Sequence, residues 1–390
     1  MIERGSISAD MKSGLEQDHS LLPLTSLRFM AAAMIVIHHG PGIRHGTFPL
    51  DSAVSFFFVL SGFILAYNYP QLRGSEIKRF LIRRIARIWP VHVVTAIAAA
   101  VIIQTLDIKF VANIALVHAW IPIASWYFSY NSASWTISTE FFFYVAFVFL
   151  ICRWSTTFWW KLLGCAAMLW SIMAVSAYLD VPSLSADTMN TVTLNGLLYV
   201  GPLARLLEFA SGMAASLLYR WLSPRAHLGS VYIFTTLEVL SLALAGYVME
   251  SRCIYRAMMQ ILPATSPEYL GHAGSWPAFI PIVLVFALRR GFISKLLSAK
   301  GLVLLGEASY SLYLVHQLVF VVIVLRWMPA GWPAFIVGAI ISQALALALL
   351  FLVENPARLY VKRLLARDRR PMHGTNSRAI EPVRQRSPIS

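Results

Sequence analysis

The chain has 390 residues, of which 58% are hydrophobic and 13% charged, with a mean hydropathy of +0.66 and a formal net charge of +14. Apolar runs of membrane-spanning length exclude a soluble domain, and the class is an all-α polytopic integral membrane protein forming one membrane unit. The positive charge does not point to nucleic acid, because the basic residues flank apolar helices and would sit against anionic lipid heads.

Residues 1–20 are polar, lack an apolar core and read as a cytoplasmic N-terminal tail with no cleavable signal peptide. About ten spans follow, at 24–40, 52–69, 86–104, 135–152, 162–179, 198–219, 231–249, 276–290, 301–325 and 333–354. Segment 108–123 is short, carries Lys109, Asn113 and His118, and ends at Pro122, so it reads as interfacial or re-entrant.

The first span carries Arg28 and His39, eleven residues apart. That is close to three turns, so both share one face about 16 Å apart at about 1.5 Å per residue. His38 points elsewhere, roughly 100° around the same helix. An ionisable group within a bilayer costs about 2.5 kcal/mol or more, so the stripe either faces protein or a watery path, or its two ends sit at the two interfaces.

The third span opens on Arg83, Arg84 and Arg87, at three- and four-residue spacing that projects the guanidinium groups to one side. Such forks suit phosphates, although clustered arginines also anchor a helix at a cytoplasmic boundary. The fourth span places Glu140 about one turn inside its outer end, bracketed by Ser138 and Tyr144 and beside aromatic residues. A carboxylate there is paired, protonated or used; a salt bridge to Arg28 or Arg205 is the structural alternative.

In the sixth span Arg205 and Glu208 are three apart and read as an intrahelical ion pair, with Gly212 allowing close helix approach. The ninth span aligns Ser309, Tyr313 and His316 as a polar stripe on an apolar helix. Cys152, Cys165 and Cys253 are too few and too scattered for a disulfide framework or zinc, and no metal site is read. Residues 361–390 form a basic cytoplasmic tail expected to be disordered.

Ten spans place 25 Lys and Arg on one side and five on the other, with Arg28 and Arg205 inside spans. By the positive-inside rule both termini are cytoplasmic.

Taken together, these segments resemble the acyltransferase family 3 membrane proteins. The residues that carry the likeness are Leu24 to Arg28 through His39, Phe57 to Phe63, Arg84 to Pro90, Trp135 to Tyr144, Arg205 to Gly212, Ser309 to His316 and Glu354-Asn355-Pro356. The likeness covers roughly 24 to 360, so 21–360 is expected to be an acyltransferase membrane domain. It implies that Arg28 and His39 are the family's characteristic basic residue and histidine, and that Arg84 and Arg87 are its paired arginines, which engage the acyl donor. Ser55 departs from the pattern, since many members have Asp before the Phe-Phe pair. Asp51 is the nearest substitute, but it lies outside the apolar run.

The resemblance further implies a cytoplasmic acyl-CoA donor, most often acetyl-CoA, as substrate with no tightly bound cofactor. The expected activity is O-acetylation, or transfer of another short acyl group, to a glycan or glycolipid such as an exopolysaccharide or O-antigen, at the outer face of the inner (plasma) membrane. A histidine can accept the proton of a sugar hydroxyl as it attacks a thioester. His39, Arg28 and Glu140 are accordingly the catalytic candidates, and Ser138, Tyr313 and His316 the substrate-binding ones. Glycan-assembly proteins are candidate partners. A transporter or flippase of a glycan or lipid intermediate is the alternative, although no internal repeat of the kind transporters show is seen.

Overall fold

The computed structural model describes residues 21–43, 48–226 and 229–367. The tails at 1–20 and 368–390, which include most of the expected basic tail, lie outside the described residues. Its α-helices run α1 (Leu22–His38), α2 (Ala53–Asn68), α3 (Ser75–Ile103), α4 (Ile108–Ile114), α5 (Ala124–Tyr127), α6 (Trp135–Leu150), α7 (Trp154–Tyr178) and α8 (Pro202–Leu222). The second half comprises α9 (Val231–Ser251), α10 (Cys253–Met258), α11 (Ser266–Ala273), α12 (Phe279–Leu288), α13 (Phe292–Leu297), α14 (Lys300–Arg326), α15 (Trp332–Leu349) and α16 (Asn355–Arg367). No strand occurs among the described residues; one isolated antiparallel bridge joins Ile123 and Val192.

Among the described residues, eight helices, or runs of adjoining helices, are long and apolar enough to cross a bilayer. The remaining two expected spans appear as α1, which is apolar but 17 residues long, and α8, which carries Arg205, Glu208 and Arg220. This is an all-α integral membrane protein. Residues 361–367 belong to α16. Segment 108–123 does not span: α4 is seven residues long and is followed by a 3-10 turn at His118–Trp120.

Local signals explain many helix starts. Pro23, Pro202, Pro267 and Pro333 lie in the first turns of α1, α8, α11 and α15, where a missing N–H costs nothing. Asp107 caps α4 by accepting from Lys109 N at 2.9 Å, and Ser230 caps α9 by accepting from Ile233 N at 3.3 Å. Buried Glu238 of α9 caps α13, accepting from the backbone N–H groups of Ile293 and Ser294 and from the Ser294 hydroxyl. Its carboxylate is thereby satisfied as a structural group.

The centre of the bundle is α2 against α8, with α14 against α1 and α15. Glycines set the first crossing: a Cβ at Gly62 would run into the Phe209 carbonyl, and one at Gly212 into the Val59 carbonyl. The two backbones therefore touch, as the position of Gly212 suggested. At a third contact, a Cβ on Gly306 of α14 would strike the Thr25 carbonyl of α1. This contact draws α1 and α14 together along their length and sets the spacing of His39 and His316.

The segment between α3 and α6 folds back over one end of the bundle. Asn131 Nδ2 donates to Leu314 O at 2.8 Å and the Ser132 hydroxyl to Gln317 Oε1 at 2.5 Å, tying it to α14. His118 Nε2 meets Ser134 Oγ at 3.1 Å, and His92 Nε2 meets Asn113 O at 2.8 Å, tying it to α6 and α3.

Candidate active site

Two cavities lie inside the bundle. The larger, about 730 Å³, is bordered by Arg28 of α1, Arg83, Arg84 and Arg87 of α3, and Arg358 and Lys362 of α16, with Glu140 and Glu307 its only carboxylates among the described residues. Six of its described lining side chains are cationic and two acidic, so its lining is strongly positive. Exposed Arg83, Glu307 and Lys362 mark its mouth.

The expected arginine face of α3 is present and points into this chamber. Arg84 Nη2 donates to the Tyr69 hydroxyl at 3.1 Å, and its guanidinium centre lies 5.2 Å from the Tyr69 ring and 5.9 Å from that of Phe80. Its Nε is buried with no hydrogen-bond partner among the described residues, leaving a donor for an incoming anion. Glu140 accepts a hydrogen bond from Tyr144 at 2.6 Å. Arg358 reaches the chamber one turn beyond Glu354, with which it pairs. That four-residue spacing was visible in the sequence, but the bringing of α16 to α3 was not.

The smaller cavity, about 370 Å³, is bordered by His38, His39, Asp51, Trp135, Tyr199, His272, Tyr313 and Gln317. Val54 and Tyr313 border both cavities, so the two meet there. His39 Nδ1 lies 3.1 Å from Ile35 O and 3.0 Å from His316 Nε2. His316 Nδ1 lies 3.3 Å from the Leu312 carbonyl, which can only accept. His316 therefore carries its proton on Nδ1 and accepts at Nε2, so His39 donates from Nδ1 and keeps the lone pair on its own Nε2. These tautomers follow from the hydrogen-bond network.

Several sequence expectations change in three dimensions. Arg28 lies within α1 and His39 caps its C-terminal end, but they open into different chambers, Arg28 among the arginines and His39 in the smaller cavity. His38 does not point away: it borders the same cavity, its ring edge-on to His39 with centroids 4.9 Å apart. The backbone turns just past α1, so a strict helical projection fails at its end. Glu140 belongs to the arginine chamber and does not border the histidine cavity.

Ser138 borders neither cavity. Its hydroxyl donates to Leu116 O at 2.7 Å and accepts from Ala119 N at 3.2 Å, pinning the fold-back segment. Tyr313 lies at the junction, whereas buried His316 stands behind His39 and reaches the cavity only through it. Ser309 borders the arginine chamber.

Arg205 and Glu208 form the expected pair at 3.2 Å, both fully buried. Arg205 Nη2 also donates to Ser55 Oγ at 3.0 Å, and Tyr269 donates to Glu208 at 3.1 Å. At position 55, then, a neutral hydroxyl serves the arginine while Glu208 balances its charge. The sequence reading missed His272, which meets Asp51 Oδ2 at 2.5 Å across 221 residues of chain. It also missed Tyr199, whose ring lies 4.3 Å from that of His272.

The described residues thus form an all-α membrane bundle in which a cationic chamber lies next to a histidine chamber. The chain belongs to the acyltransferase family 3 proteins: the family described as "Acyltransferase domain" matches residues 24–353. It is similar to the acyltransferase MdmB of Streptomyces mycarofaciens, with 28% identity over 394 residues covering 90% of this chain and 93% of that protein. No solved structure matches. The protein is therefore a membrane acyltransferase, and the transporter reading is set aside.

Proposed function

We propose that this protein transfers an acetyl or other short acyl group from cytoplasmic acyl-CoA to a hydroxyl of a glycan or glycolipid, as a multi-pass protein of the inner (plasma) membrane. The observation that carries the reading is the meeting of the two chambers at Tyr313 and Val54. The CoA phosphates bind Arg84 and Arg87, with Arg28, Arg358 and Lys362 adding positive charge, and the slim pantetheine arm runs toward Tyr313. The acceptor occupies the histidine chamber.

In the reaction, the acceptor oxygen attacks the thioester carbonyl while His39 Nε2 takes the hydroxyl proton. The C–S bond breaks, the thiolate of CoA leaves, and the His39 imidazolium returns the proton to sulfur. The products are the ester and free CoA. His316 orients His39 and helps it bear the proton. Tyr313, at the junction, is placed to donate a hydrogen bond to the oxygen that becomes negative in the tetrahedral intermediate. Arg28, on the donor side, binds CoA and acts at a distance from the proton transfer. Glu140 sits among the donor-binding arginines and orients them.

The decisive experiment is the kinetics of Arg84→Lys/Arg87→Lys. Lysine keeps the charge but loses the bidentate phosphate contact. The KM for acetyl-CoA should rise about tenfold, as expected for losing roughly 1.4 kcal/mol of charged hydrogen bonding, with a smaller change for the acceptor. An unchanged donor KM would return these arginines to membrane anchoring.

A further inference from the structure

The histidine chamber contains a second, separately wired imidazole. His272 of α11 places Nδ1 2.5 Å from Oδ2 of Asp51, which lies in the 3-10 turn Leu50–Ser52 leading into α2. A carboxylate can only accept, so His272 carries a proton on Nδ1, and the neutral ring has its lone pair on Nε2. The two members differ in access: the side chain of His272 is 37% exposed and that of Asp51 12%. The imidazole is thus the face presented to the cavity, with the carboxylate behind it. Tyr199 lies tilted against the His272 ring, and Trp135 backs Tyr199 with centroids 4.9 Å apart.

His39 is backed by a neutral histidine, whereas His272 is backed by a carboxylate. Both border one cavity of about 370 Å³. Such a space presents the imidazoles of His39 and His272, the aromatic side chains of Phe128, Trp135, Tyr199 and Tyr313, and the Gln317 amide to whatever enters it. Acylation requires only one hydroxyl. A second imidazole acceptor, braced by a carboxylate, suits an acceptor molecule that carries a further hydroxyl at a fixed distance from the first.

We propose that His272, positioned by Asp51, is a specificity-determining residue that accepts a hydrogen bond from a second hydroxyl of the acceptor, so that the enzyme selects polyhydroxylated acceptors of the glycoside class. The inference rests on the acyl-transfer reading above for the role of His39, but it concerns a different residue and a different hydroxyl.

The test uses the purified full chain in detergent with acetyl-CoA as donor. Methyl β-glucopyranoside and its monodeoxy analogues serve as acceptor probes, and CoA thiol release is the readout. In the native enzyme one monodeoxy analogue should show a KM about tenfold above the parent, the scale of one lost hydrogen bond. His272→Phe keeps the aromatic contact with Tyr199 but removes the nitrogen. It should raise the KM of the parent by a similar factor and no longer distinguish that analogue from it. Asp51→Asn should act in the same direction more weakly, with the acetyl-CoA KM unchanged in both. His272→Gln provides a second variant if His272→Phe fails to fold.

A glycoside KM unaffected by these changes would overturn the proposal. So would an equal loss for the parent and every analogue, which marks a structural role, or a collapse of kcat at constant KM, which would make His272 the base. Slowed diethyl pyrocarbonate modification of His272 in the presence of the glycosides supplies a readout independent of turnover. Protection without turnover would uphold the acceptor site and remove the donor reading; turnover that survives His39→Ala would remove the assigned base alone. Neither protection nor turnover with any probe would overturn the proposal.

Discussion

His39 is distinguished by what its Nδ1 meets, a backbone carbonyl and the acceptor nitrogen of His316, which together hold the ring and leave Nε2 for chemistry. General bases contribute about a hundredfold to ten-thousandfold, so His39→Ala should lower kcat by that range while membrane insertion is retained. His316→Phe keeps the bulk but removes the acceptor. It should cost about tenfold in kcat with little change in donor KM, the scale of a hydrogen bond worth roughly 1.4 kcal/mol, and His316→Gln should recover part of the loss. His38→Ala should lose less than His39→Ala, since His39 has the Nδ1 wiring. Equal losses at 38 and 39 would remove His39 from its assigned role. The sequence identified His39, Tyr313 and His316 because polar side chains stand out on apolar helices. It missed His272 and the pairing with Asp51, because that partnership crosses 221 residues and leaves no periodic trace.

At the level of helices, hydropathy located the spans well, since a run of apolar side chains long enough to cross lipid is a property of consecutive residues. Two elements depended on context. Helix α8 carries a buried ion pair that lowers its apolar character, yet its charges are neutralised by Glu208, Ser55 and Tyr269. The fold-back segment is too short to span and is stabilised by side-chain bonds to α6 and α14. The closest helix contact gives a direct test. Gly62→Ala forces a methyl against the Phe209 carbonyl and should destabilise the protein by about 1–3 kcal/mol through overpacking. Thermal unfolding in detergent should register a lower midpoint. An unchanged midpoint would show that α2 and α8 separate without cost.

Across the whole molecule, the two chambers adjoin at Val54 and Tyr313, one lined by arginines and the other by histidines. On the positive-inside rule, 25 basic residues on one side against five on the other lead us to expect the arginine end at the cytoplasm. Single cysteines test this in a background with Cys152, Cys165 and Cys253 replaced by Ala. Asn68→Cys borders the arginine chamber and Ser132→Cys the histidine chamber. An impermeant thiol reagent should label Ser132→Cys from outside intact cells and Asn68→Cys only in inverted vesicles. Labelling of both from the cytoplasmic face alone would mean that the acceptor is modified inside the cell.

Membrane class, span positions, the arginine face of α3 and the Arg205–Glu208 pair were determined by the sequence itself. Each depends on residues within a few turns of one another, where helical geometry dictates which side chains are neighbours. The division of Arg28 from His39 between two chambers, the placing of Glu140 with the arginines and the pairing of Asp51 with His272 were decided only by the tertiary structure. A helical period tells which face a residue occupies but not which neighbour covers that face. That choice is made where glycines let α2 meet α8 and α1 meet α14, because backbone contact sets how far apart the side chains above and below it stand.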